Sequence, residues 1–527
     1  YNTDRNNYKT QLNFKLSYDH KFGANHDFSA LAVYSEEYWN NRVLAGSRLD
    51  RLHPSLHEID GASEDVQNVS GSSSAEGLRS YIGRLNYTAF GKYMFEGNFR
   101  VDGSSRFLPG DQYGFFPSAA VGWRISDEAF MSAFKDKISL SSAKFRASYG
   151  SLGNNSGVGL YEQKQSLVSS PYYLIDNSTG TGSVVKGLIN KKLINYDLTW
   201  EKTRVFNLGL DLGFFKNKLT AELDYYERKT IGMNRPSDVS MHLTGLFAAP
   251  RRNIGDMMNK GLEANVTWND RKGDVGYMLN FNVGYNKNKL LSWNEQLQRG
   301  SVFIDMPYNF IYAFESLGIA QSWQDVYNAV PQGASPGDIL LKDVNGDGKL
   351  DANDRVAYPA YQLGRPKVNY GFRGSVDYKG FDFSFLLQAA TGRKEFWMNK
   401  ANSNFLGTAN QAITEDQWNN MWSLDNRHAD YPKLLPSTLG STSPNAYLST
   451  FWLQNMSYLR VKNLQLGYTF KKELLMKLGI QKLRVFGSVD NLAVLTSFKG
   501  LDPEKSTYTN DAYPMTKSFV VGLNVDL

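Results

Sequence analysis

The chain has 527 residues, a formal net charge of +6 and no cysteine. The lack of cysteine excludes a disulfide framework and a cysteine metal site, and the small charge without a long basic run argues against nucleic acid as a partner. Aromatic residues make up 14% of the chain, although the mean hydropathy is only -0.44. This combination suits strands that face lipid on one side and water on the other, or a carbohydrate-binding β protein.

Segments of alternating polarity recur along the whole chain and predict many antiparallel strands. Successive side chains of a strand point to opposite faces, so each segment has one apolar face and one polar face. No apolar run in the sequence approaches the roughly 20 residues of a membrane helix, but a barrel strand crosses with about 10 alternating residues. The clearest segments, in chain order, are Leu12–Tyr18, Tyr93–Val101, Leu262–Trp268, Tyr277–Tyr285, Phe381–Ala389 and Phe519–Leu527.

The connections between these segments alternate between short and long. Bacterial outer-membrane barrels have short periplasmic turns and longer extracellular loops, whereas a soluble sandwich has no reason to sort its loops in this way. Short links are expected near Gly23–Asn25, Phe90–Lys92, Phe214–Asn217, Asp270–Asp274 and Tyr378–Gly380, with partly helical links at 127–141 and Lys471–Gln481. Long extracellular loops are expected near 40–77, 151–198, 230–252, 287–361 and 392–456.

With 302–320 placed inside a long loop, the pattern predicts an all-β, transmembrane antiparallel barrel portion of about fifteen strands. An odd number of strands cannot close with every neighbour antiparallel, so the barrel needs further strands from outside this chain. The first residue is Tyr1 and the sequence opens on a strand pattern, so we expect the chain to be the C-terminal part of a longer protein. Two alternatives are a passive 16-stranded porin, which needs 302–320 to be a membrane strand, and a soluble carbohydrate-binding or carbohydrate-cleaving β protein.

One loop motif predicts a structural calcium site. Oxygen-bearing side chains occupy positions 1, 3, 5, 9 and 12 of an EF-hand-like loop, with glycine at position 6 and a backbone carbonyl available at position 7. Position 12 is Asp instead of Glu, which shortens its reach. The alternative is a turn rich in Asx and Gly that needs no ion. The predicted ligand set is Asp343, Asn345, Asp347, Lys349, Asp351 and Asp354; no redox or nucleotide cofactor is expected.

Two sets of aromatic residues have different predicted roles. Rings at strand ends are predicted to form the girdle at the membrane interfaces rather than to stack on sugars. They are Phe115, Phe116, Trp123, Trp200, Phe214, Phe215, Tyr225, Tyr226, Trp268 and Tyr378. Rings inside the long loops are not placed by strand periodicity and have three candidate roles, which are contact with substrate, contact with a lid protein, and stabilisation of the loops. They are Tyr172, Tyr173, Trp397, Trp418 and Trp422.

The signals for an enzyme are poor, and no catalytic residue is predicted. His53 and His57 have the spacing of a zinc helix, but Pro54 stands where that motif needs Glu. Gly333–Gly337 matches the letters of a nucleophile elbow. That elbow needs a preceding strand and a following helix, and this segment lies in a predicted long loop. We therefore expect a protein that is not an enzyme.

An ordered set of motifs resembles the SusC/RagA family of TonB-dependent outer-membrane transporters. No single motif suffices, but the set spans residues 78 to 527 in the order of the family. It consists of Asp102–Phe107, Tyr113–Ser118, Gly122–Ser126, Lys144–Gly150, Gly153–Asn155, Leu198–Lys202, Asp224–Lys229, Asn253–Gly255, Asn259–Gly261, Pro336–Asp338, Asp343–Gly348, Tyr370–Phe372, Tyr458–Arg460 and Asn491–Leu492.

The resemblance implies a 22-stranded barrel with an N-terminal plug, of which this chain holds the last fifteen strands. It implies import of a bulky nutrient, mainly an oligosaccharide and for some members of the family a peptide, energised by the TonB-ExbB-ExbD complex through the plug. A SusD-like surface lipoprotein would act as a lid over the long loops. A further alternative within the family is a docking component of a larger surface assembly. Leu527 departs slightly from the aromatic last residue that such barrels commonly have.

Overall fold

The computed structural model describes residues 2–50, 53–55, 57–175, 183–190, 193–239, 242, 249–295, 302–398, 402–406, 413–435, 443–475, 479–505, 513 and 515–526. Its strands are β1 (Asn2–Phe22), β2 (His26–Arg48), β3 (Gln67–Ala89), β4 (Tyr93–Ser104), β5 (Tyr113–Trp123), β6 (Leu140–Asn154), β7 (Leu167–Ile175), β8 (Ser183–Asn190), β9 (Glu201–Phe214), β10 (Leu219–Pro236), β11 (Arg251–Lys272), β12 (Val275–Trp293), β13 (Phe310–Phe314), β14 (Ser316–Ile319), β15 (Ile339–Leu341), β16 (Arg355–Gln362), β17 (Val368–Tyr378), β18 (Phe381–Thr391), β19 (Lys394–Phe396), β20 (Leu453–Asn455), β21 (Tyr458–Thr469), β22 (Lys482–Thr496) and β23 (Ser518–Asp526).

The helices of the described residues are short and lie in the connections. They are α1 (Ser132–Ile138), α2 (Trp323–Asn328), α3 (Ser403–Leu406), α4 (Glu415–Asn420) and α5 (Lys472–Leu475). None of the helices in this part of the chain has the length and apolar character needed to cross a bilayer. The helices α1 and α5 fall in the two links, 127–141 and 471–481, for which the sequence predicts a partly helical turn.

Fifteen of the strands form one antiparallel sheet in the order β1-β2-β3-β4-β5-β6-β9-β10-β11-β12-β17-β18-β21-β22-β23. This confirms the predicted all-β fold and the strand count. The last strand, β23, pairs with β22 over Ser518–Asp526 and Lys482–Asp490, as the sequence predicts. Strands β2 and β3 continue into the segment predicted as the first long loop, so that connection shortens to residues 49–66.

The segment 302–320 does not join the large sheet. Its strand β13 pairs with β16, and its strand β14 pairs with β15, each in a separate two-stranded sheet. Because this segment adds no membrane strand, the 16-stranded porin alternative is wrong. The physical reason is that β13 is buried on both faces within the loops, whereas a barrel strand has one face toward lipid and one toward water.

Two predicted girdle residues, Phe116 and Trp200, are instead buried. Together with Phe107, Val158 and Leu198 they form a compact cluster at the outer ends of β5 and β9. The indole Nε1 of Trp200 donates to the carbonyl of Gln112 at 2.9 Å. The position at a strand end does not distinguish buried rings from rings at the membrane interface. Both kinds of ring occur where the alternation of polar and apolar residues stops.

Tyr226 is also misplaced by the girdle prediction. Its hydroxyl donates to Asn286 Oδ1 at 3.1 Å, and its ring covers the backbone of Gly261. In the β10 alternation it shares the polar face with Asp224, whereas its neighbour Tyr225 lies on the apolar face. The alternation of side chains along β10 therefore places Tyr226 on the polar face, which forms the lumen wall.

Candidate functional site

The polar face of the sheet carries a ladder of charged and amide side chains. On β6, Arg146 donates through Nη2 to Asp211 Oδ1 at 2.7 Å and to Asp224 Oδ2 at 3.2 Å. The pairing register aligns Arg146 with Gly209 on β9, and Gly209 with Asp224 on β10. One guanidinium thus joins three adjacent strands across a glycine.

The same arrangement recurs on the polar face of strands β18, β21 and β22. Arg484 on β22 makes a two-pronged contact with Asp382 on β18, at 2.9 Å from Nε and 2.6 Å from Nη2. The pair passes over Gly467 of the intervening strand β21. Planar pairs of this kind hold a fixed geometry, so the polar face is a stiff, hydrophilic wall suited to polar solutes.

The described residues of the long connections β12–β17 and β18–β21 pack together into what we call the outer loop body, which consists of the described parts of 302–363 and 394–456. Its core contains large side chains from both connections. Phe314, Ile339 and Leu341 come from the first connection, and Trp397, Phe405, Leu406, Tyr431 and Trp452 from the second. Because these are mostly fully buried residues, the two loops form one folded unit and not two separate ones.

Asn445 links the two connections at the centre of the outer loop body. Its Oδ1 accepts from the Ile339 N–H at 2.7 Å, and its Nδ2 donates to Asp338 Oδ1 at 3.1 Å. Its own carbonyl accepts from Trp452 Nε1 at 2.9 Å. The side chain is fully buried, so these bonds satisfy polar atoms that water does not reach.

Ser335, the central residue of the elbow-like motif, has a structural role. Its hydroxyl donates to Asp338 Oδ2 at 3.0 Å and lies in short contact with Lys433 Nζ. Lys433 in turn forms an ion pair with Asp338 at 3.1 Å. Residues 333–337 form a turn between two loop segments, which agrees with the prediction that the motif is not a nucleophile elbow.

Three of the five loop aromatics named from the sequence have side chains that the structure describes, and these three differ in exposure. Trp397 and Trp422 are buried, with 6% and 9% exposure, whereas Trp418 is 59% exposed. Tyr172 and Tyr173 lie in β7, which pairs with β8, and their side chains lie outside what the structure describes. Stabilisation of the loops is thus the role that fits Trp397, and contact with substrate or lid stays a prediction for the exposed Trp418.

Trp422 has a specific task within the outer loop body. Its indole Nε1 donates to Gln321 Oε1 at 3.1 Å, and Gln321 precedes helix α2. The side chain of Asp325 closes the start of that helix as a capping box with Ser322. The N–H of Gln321 and the hydroxyl of Ser322 hold the pKa of Asp325 below its ordinary value, so this cap is charged at neutral pH.

Helix α2 presents two exposed rings that sequence reasoning missed. Trp323 and Tyr327 are 55% and 76% exposed, and their rings stack with centroids 6.1 Å apart at an interplanar angle of 28°. The available signal was the i, i+4 spacing of the two rings behind the Ser-x-x-Asp cap at Ser322. The loop prediction for 287–361 does not include this helix, which has fewer than two turns.

The predicted calcium loop has its side-chain oxygens turned toward its own backbone. Asp343 accepts from the N–H groups of Gly346 and Gly348 at 2.7 and 2.9 Å. Burial would raise the pKa of Asp354, but N–H donors from Asp351, Val344 and Asn345 outweigh it and hold that pKa below its ordinary value. No group of three or more acidic or histidine side chains in the described residues is arranged to hold a metal ion, so calcium stays a prediction.

The histidine pair is exposed at the outer end of the β2–β3 connection. His53 Nδ1 lies 2.6 Å from Ser55 Oγ, a contact within its own turn. His57 is exposed as well. Neither belongs to a group of three or more acidic or histidine side chains in the described part of the chain.

Comparison with known proteins identifies the family. Residues 1–492 match the model for the TonB dependent receptor-like β-barrel. The chain is 31% identical to TonB-dependent receptor P3 of Formosa agariphila over 99% of its own length and 52% of that protein. It is 29% identical to TonB-dependent receptor SusC of Bacteroides thetaiotaomicron, over 100% of this chain and 51% of that one. The chain spans about half the length of the curated relatives it matches.

A solved structure described as the RagAB peptide transporter has the same fold. It superposes with a TM-score of 0.81 at 22% sequence identity, covering 99% of this chain and 56% of that one. The relatives are receptors of the outer membrane, so the soluble β protein alternative is wrong. The chain therefore belongs to the TonB-dependent receptors, in the SusC/RagA family, and forms part of their outer-membrane β-barrel.

Proposed function

We propose that the chain is the C-terminal barrel portion of an importer that moves oligosaccharides across the outer membrane with TonB-derived energy. Family membership supports the energised import, because the curated relatives are named TonB-dependent receptors. The missing strands and the plug would come from the rest of the protein. The polar wall built around Arg146 and Arg484 supports a hydrophilic path, since a sugar exchanges hydrogen bonds with water for hydrogen bonds with such a wall.

The observation that favours a sugar over a peptide is the ring pair on α2. Trp323 and Tyr327 form an exposed aromatic surface on the outer loop body. Aromatic rings have large apolar faces, and the apolar C–H face of a pyranose packs on such a ring. The Trp422–Gln321 bond attaches the start of this helix to the loop core, so the surface has a fixed position.

A SusD-like lipoprotein that covers the outer loop body completes the proposal. The loop body is a folded platform and not a set of separate loops, which suits docking of a rigid partner. Substrate held between the lid and the ring pair would then be released into the polar path when the plug is withdrawn. Growth and uptake assays in a host that expresses the full-length receptor with its lipoprotein test the whole scheme.

The decisive experiment compares uptake of labelled oligosaccharides and labelled peptides, with and without TonB. We expect oligosaccharide uptake that stops when TonB is deleted. The Trp323→Ala/Tyr327→Ala double variant should weaken binding of the oligosaccharide roughly tenfold, as expected for loss of aromatic contacts. Tyr196→Ala is the matched control, because Tyr196 is 70% exposed on another connection.

Three outcomes would contradict parts of the proposal. Uptake that continues without TonB would exclude energised import. Transport of peptides alone would replace the proposed substrate class; the solved RagAB structure is described as a peptide transporter. Normal uptake by a receptor that lacks the lipoprotein would remove the lid.

Calcium binding in the loop 343–354 is a second, separate proposal. The sequence supplies the oxygen pattern, and the Gly348 N–H bond to Asp343 fixes the turn at the first ligand position. Each carboxylate oxygen retains a further lone pair after one such bond. An ion would be held by Asp343, Asn345, Asp347, Asp351 and Asp354, together with the carbonyl of Lys349, and its role would be to stiffen the loop.

A further inference from the structure

The apolar face of the sheet ends at a sharp border on its outer side. On β9, this face carries Phe206, Leu208, Leu210, Leu212 and Phe214. The length of this run matches the roughly 9–11 residues with which a tilted strand crosses a bilayer. The next two residues on the same face, toward the outside, are Arg204 and Lys202. Their charges therefore lie at the level of the lipid headgroups in the outer leaflet.

Two other cations at this border each have a carboxylate partner. Arg79 pairs with Glu36 at 2.7 Å, and Lys260 pairs with Glu227 at 2.8 Å. Arg204 and Lys202 are both exposed, and among the described residues neither forms an ion pair or a side-chain hydrogen bond. This part of the border has a net positive charge that the protein does not neutralise.

A third cation makes this concentration of charge more unfavourable. The register places Arg204 directly opposite Lys229 of β10, and like charges opposite one another across a strand pair destabilise a sheet. Two acids lie nearby on the same face, and each already has a cation partner: Asp256 lies 3.4 Å from Lys229, and Glu227 pairs with Lys260. An anion from outside the protein would relieve the repulsion between these cations. This repulsion favours a bound anion, separately from the exposure of Lys202 and Arg204.

The cations border a groove in the outward wall. Strands β5 and β6 pair only up to Ser118 and Gly150, while β6 continues beside β9. A cavity of about 420 Å³ lies where they part, lined among others by Phe115, Tyr149, Ser151, Lys202 and Arg204. The groove combines two cations, a hydroxyl and two aromatic walls at one level of the membrane.

We propose that this groove binds the phosphate-bearing headgroup of an outer-leaflet glycolipid. The phosphate would accept hydrogen bonds from Arg204, Lys202 and the hydroxyl of Ser151, because charge-assisted bonds to phosphate are the strong ones for such side chains. The sugar part of the headgroup would lie against Phe115 and Tyr149. The acyl chains would run down the apolar face past Phe206, which directly continues the groove toward the membrane.

The test uses the full-length receptor, purified in a neutral detergent and stripped of lipid. Native mass spectrometry measures binding of phosphorylated lipid A and of the same lipid A after enzymatic removal of its phosphates. We expect the phosphorylated lipid to bind and the Lys202→Gln/Arg204→Gln double variant to bind it roughly thirtyfold more weakly, from the loss of two cations near a membrane surface. Inorganic phosphate in excess should not displace the lipid.

Two further variants separate the site from unspecific charge effects. Lys216→Gln/Lys272→Gln removes the same charge from two exposed positions, one in a periplasmic turn and one at the periplasmic end of β11. It should change the dissociation constant by less than about twofold, because those positions lie beyond the screening length. Lys202→Arg/Arg204→Lys keeps both charges and should retain binding. In lipid-free detergent the glutamine double variant should melt at the same temperature as the parent or higher, because the repulsion with Lys229 is relieved.

The proposal is overturned if the glutamine double variant binds phosphorylated lipid A as tightly as the parent. Equal binding of the dephosphorylated lipid would also overturn it, because the cations would then have no role. Displacement by inorganic phosphate would show a site for the free ion and not for a lipid. A lower melting temperature of the variant in lipid-free detergent would show that the two cations stabilise the wall by themselves.

Discussion

The guanidinium of Arg146 lies directly over the backbone of Gly209, so that a Cβ atom built on that glycine would be 2.5 Å from Arg146 Cζ. The absence of a side chain at Gly209 allows Arg146 to reach Asp211 and Asp224 across the strand. Glycine in a strand commonly marks such a close approach. The polar wall therefore depends on a small residue as much as on its charged ones.

Gly209→Ala should destabilise the barrel by about 1–3 kcal/mol, the usual cost of overpacking, because the added methyl group displaces Arg146. Gly284→Ala is the matched control on the same polar face, since the nearest atom to its Cβ would be Glu263 Cγ at 3.9 Å. Samples are incubated at increasing temperatures and then run on a gel. The measurement is the incubation temperature at which the full-length barrel no longer migrates in its compact form. Equal melting of the two variants would show that Arg146 moves aside at no cost.

Asn445→Ala should loosen the outer loop body without unfolding the barrel. The change leaves the Ile339 N–H and Asp338 Oδ1 without their partner in a buried place, which costs about 1–3 kcal/mol for each unsatisfied group. Limited proteolysis should then cut residues 302–363 and 394–456 faster than in the parent. Ser423→Ala, in a partly buried turn of the same unit, serves as the control. Unchanged cleavage would exclude a central role for Asn445.

Arg460→Gln should be among the most damaging single changes outside the membrane-facing surface. Arg460 is 2% exposed and donates to Asp502 at 2.8 Å and Glu504 at 2.6 Å. Removing one partner of a buried ion pair costs about 3–5 kcal/mol, because the remaining charge stays buried. Lys499→Gln breaks an exposed pair with Asp430 and should cost less than about 1 kcal/mol. Similar stability of the two variants would contradict this assignment.

The outer loop body should lose stability at alkaline pH through Tyr431. Burial, and a hydrogen bond from its hydroxyl to Asp416 at 2.8 Å, raise the pKa of Tyr431 well above its ordinary value near 10. A raised pKa in the folded state gives stability that is complete below about pH 10 and is lost as the pH rises toward the folded value.

Proteolysis of the loops as a function of pH measures this effect. The parent should become more susceptible above about pH 10, and Tyr431→Phe should flatten that rise because the phenol is gone. Tyr196→Phe, on an exposed residue, should leave the rise unchanged. If Tyr431→Phe follows the parental curve, another group causes the alkaline loss.

Removal of calcium tests the loop 343–354. If the ion binds, chelation should lower the temperature at which residues 302–363 become susceptible to protease, and added calcium should restore it, because a ligand that binds only the folded state stabilises it. Asp343→Ala should abolish the response to calcium. Lys342→Ala, next to the loop, should keep it. A parent that responds to neither chelator nor calcium would leave the turn alternative as the correct one.

The sequence alone determined the barrel. The alternation at Tyr277–Tyr285 and at Phe381–Ala389 specifies strands and their faces, because the period of two is a local property of extended backbone. The alternation of short and long links then specified strand direction and the count, which the sheet order confirms. The girdle prediction is wrong for Phe116 and Trp200, which are buried near strand ends, and for Tyr226, which lies within β10 on its polar face.

Only the tertiary structure decided what the long loops do. Asn445 binds the backbone of Ile339 across 106 positions of sequence, and no local pattern encodes a contact of that range. The burial of Trp397 beside Phe314, and the exposure of Trp323 and Tyr327, follow from how two loops pack on each other. Strands can be predicted from the sequence because their polarity pattern is periodic. The packing of the outer loop body cannot, because it depends on contacts between residues far apart in the sequence.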